Sequence, residues 1–452
     1  MLNLERLWAE PRHVVVIAGG AVSGSEAAAV CAERGVLTFV FEQNVRPYGK
    51  IEDGLPRWHD KLRAQEYERI DENLTRPDVL YVPRTLIGRD LPFSELHGQA
   101  GVSALLLANG AWRDRPLGID AAERCIGRGF VYQNPFVYWF NHSEDHHYDG
   151  PAYSVIDDAI VVGGGLASVD VIKILNIELY RGALADRGIH VPVVHMEHMG
   201  IPKTLAEHKL TPADLGIKGA TLYYRRRVRD MPVAFPKDDS PEQRAKTETV
   251  REKMIGILAQ KYLVRVRDCH APVAALIEGD RMVGLRFRKT ELVDGKLREL
   301  PDSDYDVRSP LTVSSIGSVP ESMPGVPTKG ELYDYADWST GELRGLRGVY
   351  GLGNVLTGKG NIKDSRENAR EVSQRTLEAY VGINNSVPAE QVVEEVHAQR
   401  RAAAERVVDD ALRVKPATPA QIRALLERVQ ARWREVGYTG DYRAWIAAHP
   451  AS

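Results

Sequence analysis

The sequence predicts an α/β fold made of two Rossmann-like units and a helical C-terminal extension. Two segments, which begin at His13 and Asp158, each show a short apolar strand, a glycine-rich turn and a helix. A third glycine-rich segment follows another strand at residues 348–354. After Gly382 the glycine motifs end, and stretches rich in Ala, Arg and Glu lie between prolines, which favours helices.

The first glycine turn runs from Gly19 to Gly24 and is predicted to bind a dinucleotide. A strand precedes it, a helix over Ser25–Arg34 follows it, and the next strand ends at Glu42. The start of such a helix presents unpaired N–H groups to a pyrophosphate, and glycines let the backbone come close. Ala21 holds the middle position of the GxGxxG frame, and Glu42 is placed to accept hydrogen bonds from ribose hydroxyls. The alternative is a purely structural turn.

The second glycine turn follows the pattern GxGxxS and comprises Gly163, Gly164, Gly165, Leu166, Ala167 and Ser168. Further along the chain, the predicted strand at 221–224 ends in Arg225, Arg226 and Arg227. An acidic residue at this place would favour NAD, whereas the planar guanidinium groups of arginines suit a 2′-phosphate. Arg225 and Arg226 therefore predict NADP, and the alternative is a solvated basic turn.

Three other stretches are predicted from their local patterns. Residues 181–219 contain Pro192, Pro202 and Pro212 with little periodicity, which predicts a long loop or insertion. Alternating apolar residues between 262 and 289 predict a small antiparallel meander. The extension is predicted to form two helices, at 388–412 and 419–436, which either pack on the body or dock a partner.

The composition excludes several classes of protein. The chain has 452 residues with 43% hydrophobic residues, so it is not wholly disordered. Its 59 basic and 62 acidic residues sum to −3, which argues against a nucleic-acid binder that relies on bulk positive charge. No apolar run approaches the roughly 18 residues of a membrane span, and residues 1–11 do not resemble a secretory signal. The expected location is the cytoplasm.

The three cysteines are Cys31, Cys125 and Cys269, and no two of them have CxxC spacing. An iron–sulfur cluster held by neighbouring cysteines and a redox-active CxxC pair are therefore excluded, and with them a thiol reductase. The histidines His142, His146 and His147 lie before the second unit and are interpreted as part of a solvated linker, so no metal site is predicted.

Several segments together resemble the adrenodoxin reductase-like ferredoxin–NADP reductases and the related glutamate synthase small subunit. The resemblance covers about residues 12–382 and rests on the runs Arg46–His59, Ala108–Gly110, Phe136–Asn141, Gly163–Asp170, Tyr224–Pro232, Ser315–Pro320 and Gly351–Ile362. Asn354 stands where the family has an acid or tryptophan, and Glu52 and Asp53 stand where relatives often carry an arginine and an aromatic residue.

The resemblance implies FAD at the first glycine turn and NADPH at the second, with the NADPH domain inserted into the FAD domain. The implied domains are 1–155 with 308–382 for FAD, 156–307 for NADPH, and 383–452 for the extension. For FAD the implied residues are Gly19, Gly20, Ala21, Gly24, Glu42, Gly49, Asn109, Gly110, Gly353, Asn354, Gly360, Asn361 and Ile362. For NADPH they are Gly163, Gly165, Leu166, Ala167, Ser168, Arg225 and Arg226.

The implied activity is hydride transfer from NADPH to FAD, followed by electron transfer to a ferredoxin-like protein. The family has a His and a Glu beside the nicotinamide, and the matching candidates here are His59 and Asp239, with Asp238 as a neighbouring possibility. Two alternatives remain open. In the first alternative, the chain is an electron-transfer subunit that docks through its helical extension. In the second, it is a flavin-binding scaffold or sensor of low turnover.

Overall fold

The structure is a computed structural model that describes residues 4–98, 101–146, 148–236, 238–356 and 389–450. In these ranges the strands, in chain order, are β1 (Val14–Ala18), β2 (Leu37–Phe41), β3 (Val79–Val82), β4 (Ala104–Leu107), β5 (Arg113–Asp114), β6 (Phe130–Tyr132), β7 (Ile160–Gly163), β8 (Thr221–Tyr223), β9 (Arg265–Arg267), β10 (His270–Glu278), β11 (Arg281–Val293), β12 (Lys296–Glu299), β13 (Tyr305–Arg308), β14 (Thr312–Ser315), β15 (Ser318–Val319), β16 (Thr328–Lys329), β17 (Leu332–Tyr333), β18 (Tyr335–Asp337), β19 (Glu342–Leu343) and β20 (Val349–Gly351).

The α-helices of the same residues are α1 (Val22–Glu33), α2 (Lys50–Asp53), α3 (Asp60–Leu74), α4 (Phe93–Leu96), α5 (Asp120–Glu123), α6 (Gln133–His142), α7 (Leu166–Ala185), α8 (Val193–Met199), α9 (Ile201–Glu207), α10 (Pro212–Leu215), α11 (Pro241–Tyr262), α12 (Ala389–Ala411), α13 (Pro419–Val436) and α14 (Tyr442–Ala448). No helix among these residues is long and apolar enough to cross a membrane.

The first sheet has the strand order β18-β19-β20-β4-β1-β2-β3. Strands β20, β4, β1, β2 and β3 are parallel to one another, whereas β18 and β19 pair in an antiparallel way at the β20 edge, and every residue of β1 and β2 is buried. Such continuous apolar strands are typical of a parallel sheet that is covered on both faces. Strand β20 comes from residues 349–351, so the chain leaves this sheet after β4 and returns to it near the end of the α/β part.

The second sheet is also parallel, with the order β6-β14-β7-β8-β9. Next to it lies an antiparallel sheet in which β10 pairs with β11 and β11 pairs with β12 and β13. The predicted meander is thus present in β10 and β11, although β9 joins the parallel sheet instead. The domain boundaries remain a prediction. The strand pairing of the second sheet includes β6 and β14, which lie outside the predicted 156–307 unit.

The predicted loop at 181–219 is wrong, because most of this stretch forms the end of α7 and the short helices α8, α9 and α10. Buried contacts hold α8 against the second unit. The fully buried ammonium group of Lys173 lies 2.7 Å from Oε1 of Glu197, and the hydroxyl of Tyr262 donates to the same oxygen at 2.8 Å. Because prolines at the first turn of a helix cost no hydrogen bond, Pro202 and Pro212 begin helices here and do not prevent them.

The C-terminal extension contains the two predicted helices, α12 and α13, and the additional short helix α14. Helix α13 begins with a capping box formed by Thr418 and Gln421, and Pro419 is its first residue. The indole N–H of Trp433 donates to the carbonyl oxygen of Tyr81 on β3 at 3.0 Å, and both side chains are buried. The extension therefore shares one hydrophobic core with the first sheet.

Candidate functional site

The first cavity lies at the carboxyl ends of β1 and β4. Its lining includes seven predicted residues, namely Gly19, Ala21, Glu42, Gly49, Asn109, Gly110 and Asn354. Gly24 is required by the turn itself, because a Cβ atom there would collide with the carbonyl oxygen of Gly19, which has φ +100°. The methyl group of Ala21 has room because residue 49 is a glycine. A side chain at position 49 would place its Cβ atom only 2.9 Å from the methyl carbon of Ala21.

Glu42 is held in one orientation by the backbone around the first cavity. Its Oε2 accepts from the N–H of Gly20 at 2.8 Å, and its Oε1 accepts from the N–H of Asn44 at 2.9 Å. Burial raises the pKa of Glu42 to about 7, against the lowering effect of these N–H groups. Each carboxylate oxygen has a second lone pair, which can accept a hydrogen bond from a ligand hydroxyl.

Asn109 and Gly353 bring two other segments to the first cavity. The amide of Asn109 donates to the hydroxyl of Tyr333 at 3.1 Å, while its Oδ1 is buried and has no hydrogen-bond partner within the described ranges. A buried acceptor of this kind fits a donor group on a ligand. Gly353 has φ +67°, and a Cβ atom there would collide with Ser23, so this glycine lets the returning chain approach the first turn. Gly360, Asn361 and Ile362 lie outside the described residues.

Lys50 is a cavity residue that the sequence analysis missed. Its Nζ donates to Oδ1 of Asn134 at 3.1 Å and to Oγ of Ser318 at 3.3 Å, and it lies 5.4 Å from the ring centre of Trp112. Burial lowers the pKa of Lys50 to about 8, partly offset by the charge of Asp114. A cation directly after the glycine at position 49 was the available signal.

The second cavity has a volume of about 970 Å³ and lies at the carboxyl ends of β7 and β8. Its lining includes the predicted residues Gly163, Gly165, Leu166, Ala167, Arg225, Arg226 and Asp239. Gly164 is required because a Cβ atom there would enter the ring of Tyr224. Ser168, which was also predicted to bind the cofactor, does not line the cavity. It is fully buried, and its hydroxyl donates to the carbonyl oxygen of Gly165 at 2.6 Å.

The three consecutive arginines have different surroundings. Arg227 forms a two-pronged ion pair with Asp230, with Nε 2.7 Å from Oδ2 and Nη2 2.8 Å from Oδ1, and so closes its own turn. No hydrogen bond joins the guanidinium groups of Arg225 and Arg226 to other residues in the described part of the chain. Arg225 is exposed and Arg226 is half-buried. These two residues therefore leave planar donors directed to the second cavity, as a 2′-phosphate requires.

Arg251 is a further basic residue of the second cavity that sequence reasoning missed. It lies on α11, and it donates to the carbonyl oxygen of Ala234 at 2.8 Å and to that of Arg229 at 2.8 Å. These bonds fasten the loop that follows the arginines. Nothing in the local sequence distinguishes Arg251 from the other charged residues of a long surface helix.

The two candidate catalytic residues lie in different places. Asp239 lines the second cavity, exposed, with Oδ1 3.4 Å from Nη2 of Arg244. His59 is absent from the linings of both cavities, and its ring centre lies 6.1 Å from that of Trp58. Burial, helped by the charge of Lys173, lowers the pKa of His59 to about 3, so this imidazole is neutral at neutral pH. The catalytic roles of both residues stay predictions.

A short antiparallel ribbon of β5 and β15 connects the two cavities. Trp112, just before β5, lines the first cavity, and Arg115, just after β5, lines the second. Because an extended chain spans at most about 3.6 Å per residue, the Cα atoms of these two residues lie within roughly 11 Å of each other. One short segment of chain therefore contributes to the walls of both cavities.

The predicted solvated linker at 142–147 is wrong for His142. This side chain is buried at the end of α6, where Nδ1 lies 2.8 Å from Oδ2 of Asp145 and Nε2 lies 3.1 Å from Oδ1 of Asp53. The two carboxylates raise the pKa of His142 against the lowering effect of burial. His147 lies outside the described residues. In the part of the chain that is described, no group of three or more His, Cys, Asp or Glu side chains is arranged to hold a metal ion.

Comparison with known proteins gives relatives of one kind, although no protein-family model matches the chain. The mitochondrial NADPH:adrenodoxin oxidoreductase of Arabidopsis thaliana is 22% identical over 258 residues, which cover 55% of this chain and 52% of that protein. The probable ferredoxin/ferredoxin–NADP reductase of Mycobacterium leprae is 29% identical over 186 residues, which cover 40% of this chain and 32% of that protein. The chain is thus similar to proteins named as adrenodoxin and ferredoxin–NADP reductases. It spans about half the length of the first relative and about a third of the second.

A solved structure supports the two-unit fold of this chain. The structure of Mycobacterium tuberculosis FprA in complex with NADPH superposes with a TM-score of 0.59 at 18% identity, and the match covers 91% of this chain and 98% of that chain. The predicted α/β fold class with two Rossmann-like units is thus confirmed, and so is the resemblance inferred from the motifs.

Proposed function

We propose that this protein is an FAD-dependent oxidoreductase that passes hydride from NADPH to FAD and then passes electrons to a ferredoxin-like protein. The observation that carries the proposal is the ribbon of β5 and β15, which joins the two dinucleotide-type cavities through Trp112 and Arg115. A reductase of this kind needs its two cofactors within contact of each other, and the cofactors supply the redox chemistry.

The first cavity would hold FAD. The N–H groups at the start of α1 would bind the pyrophosphate, and Gly19 and Gly24 allow the tight turn that presents these groups. Glu42 accepts hydrogen bonds from ribose hydroxyls. The unused Oδ1 of Asn109 accepts from a donor on the ligand. We also assign Gly353 and Asn354 to this site, together with Gly360, Asn361 and Ile362 beyond the described residues.

The second cavity would hold NADPH. The start of α7, with Gly163, Gly165, Leu166 and Ala167, binds the pyrophosphate. Arg225 and Arg226 bind the 2′-phosphate, because Asp230 occupies the third arginine and leaves these two available. Asp239 and His59 remain the proposed groups for orienting the nicotinamide, with His59 acting from behind the lining as a neutral imidazole.

The electron acceptor is proposed to be a separate protein. Cys31, Cys125 and Cys269 are unpaired, and the first two are buried. No disulfide within the described residues is therefore available to accept electrons from FAD. We propose a ferredoxin-like acceptor and a cytoplasmic location.

The test uses the purified full-length chain under anaerobic conditions. We expect a bound flavin whose visible absorbance is bleached by NADPH and much less by NADH, and we expect subsequent reduction of an added ferredoxin. Absence of bleaching by either nucleotide would contradict the proposal. Bleaching without reduction of any free ferredoxin would instead favour the role as a subunit of a larger complex.

A further inference from the structure

Helix α12 of the C-terminal extension is fixed against the helix that follows the first glycine turn. The contact is centred on His397, whose side chain is 1% exposed. Its Nδ1 lies 2.8 Å from Oε1 of Glu26 on α1, and its Nε2 lies 3.1 Å from Oε1 of Glu66 on α3. Both carboxylates are buried, so the imidazole joins three helices at one point.

Exposed ion pairs on either side of this point set the register of α12. Arg69 on α3 lies 2.7 Å from Glu394, and Arg34 lies 2.6 Å from Asp409. Exposed pairs of this kind contribute little to stability, about 0–1 kcal/mol each. They show, however, that α12 is held to α3 near one end and to Arg34, the residue after α1, near the other, so that it cannot slide without losing both pairs.

Arg400 lies one helical turn beyond His397 and hence on the same side of α12. It lines the first cavity together with Val22 and Ser23, which belong to the first turn of α1. Within the described residues, no hydrogen bond or ion pair engages its guanidinium group. Burial lowers the pKa of Arg400 in spite of the attraction of Glu66 and Glu26. A half-buried cation at a cavity wall, with no hydrogen-bond partner among the described residues, is suited to an anionic ligand.

The chemistry of this wall indicates which part of a ligand reaches Arg400. The first turn of α1 contains no acidic residue, and its N-cap is Ala21, whose side chain cannot cap the free N–H groups. These N–H groups and the positive end of the helix dipole also favour an anion. Lys50, the other cation in the described lining of this cavity, is already engaged by Asn134 and Ser318.

We infer that Arg400 binds the pyrophosphate of the dinucleotide at the first glycine turn, so that the C-terminal extension completes the first cofactor site. The planar fork of a guanidinium group matches two phosphate oxygens at once. The inference rests on the proposed function, since it takes FAD as the ligand of this cavity. It gives the extension a role in cofactor binding in addition to its packing on the first sheet.

The test compares three variants of the full-length chain, Arg400→Gln, Arg400→Lys and Arg401→Gln. Arg401 is the matched control because it lies next along the same helix and pairs with Glu33 and Glu405 at the surface. Bound flavin per chain is measured after purification. The Kd for FAD and for riboflavin, which has no phosphate, is then measured on protein freed of flavin, and the Tm of the flavin-free variants reports on folding.

We expect Arg400→Gln to raise the Kd for FAD roughly tenfold to hundredfold, as the loss of a charged hydrogen bond implies. The variant Arg400→Lys should lose less affinity for FAD, and Arg401→Gln should bind FAD like the wild type. All three variants should bind riboflavin with the same Kd as the wild type. An unchanged or lowered Kd for FAD in Arg400→Gln, or an equal loss for riboflavin, would overturn the inference and leave the proposed function intact. If Arg400→Gln does not fold, Arg400→Lys decides, because it loses the planar fork and should still raise the Kd for FAD but not for riboflavin, and an unchanged Kd for FAD would overturn the inference. A wild-type chain that binds no FAD would overturn both.

Discussion

The double substitution Arg225→Ala with Arg226→Ala should convert the protein from a strong preference for NADPH to near indifference between NADPH and NADH. In the structure these two guanidinium groups line the second cavity and are not engaged by other described residues. Arg227, which pairs with Asp230, remains in place and keeps the turn closed. The perturbation therefore removes the donors for a 2′-phosphate without removing the support of the loop.

The magnitude follows from the number and exposure of these donors. A hydrogen bond to a charged group contributes roughly 1.5–3 kcal/mol. Arg225 is exposed and Arg226 is half-buried, so solvent screening places both at the lower end of this range. The expected loss is about 3 kcal/mol in total, which corresponds to roughly 150-fold in kcat/KM for NADPH. NADH has no 2′-phosphate, so its kcat/KM should change little.

The assay is the anaerobic rate of flavin bleaching at a series of NADPH and NADH concentrations. The matched control is Arg286→Ala with Arg308→Ala, because these two arginines lie on the antiparallel sheet beside the second parallel sheet and pair with Asp306 and Glu278 at the surface. This control removes the same charge and should leave both nucleotides unaffected. An equal loss for NADPH and NADH in the double variant, or a loss as large in the control, would refute the assignment of the two arginines to the 2′-phosphate.

Three further predictions concern stability and the first site. Stability against urea should fall as the pH rises from 6.5 through the raised pKa of His397, because the protonated imidazole is held by Glu26 and Glu66 against the cost of burial. The variant His397→Gln should flatten this part of the pH profile. An equally steep profile in the variant would contradict the stabilising role of protonated His397. Gly24→Ala should prevent flavin binding because the added methyl collides with the carbonyl oxygen of Gly19, and retention of full flavin content would be inconsistent with the turn described. Trp433→Ala should lower the free energy of unfolding by about 3–5 kcal/mol, since it empties the contact between α13 and β3, whereas a loss below about 1 kcal/mol would show that the extension is not part of the core.

Much of the site could be predicted because its determinants are local. Each glycine turn combines a strand, a turn with little room for side chains and a helix within one short segment, and this combination is visible without any tertiary contact. Helix α8 in the stretch 181–219 could not be predicted in this way, because it is held by contacts of Glu197 with Lys173 and Tyr262 from other parts of the chain. Two of the prolines there, Pro202 and Pro212, lie in the first turns of helices, where proline is compatible with the helix.

The amino-acid sequence by itself determined that this protein has two glycine turns of the dinucleotide type, a basic end on the second ribose-facing strand and a helical extension. These features are short-range, so the order of residues is sufficient to specify them. Only the tertiary structure decided which of the three arginines are free for a ligand, that Ser168 and His59 do not line a cavity, and that Lys50 and Arg400 do. These points depend on partners such as Asp230, Glu26 and Glu66, which chain folding brings from distant segments and which no local pattern encodes.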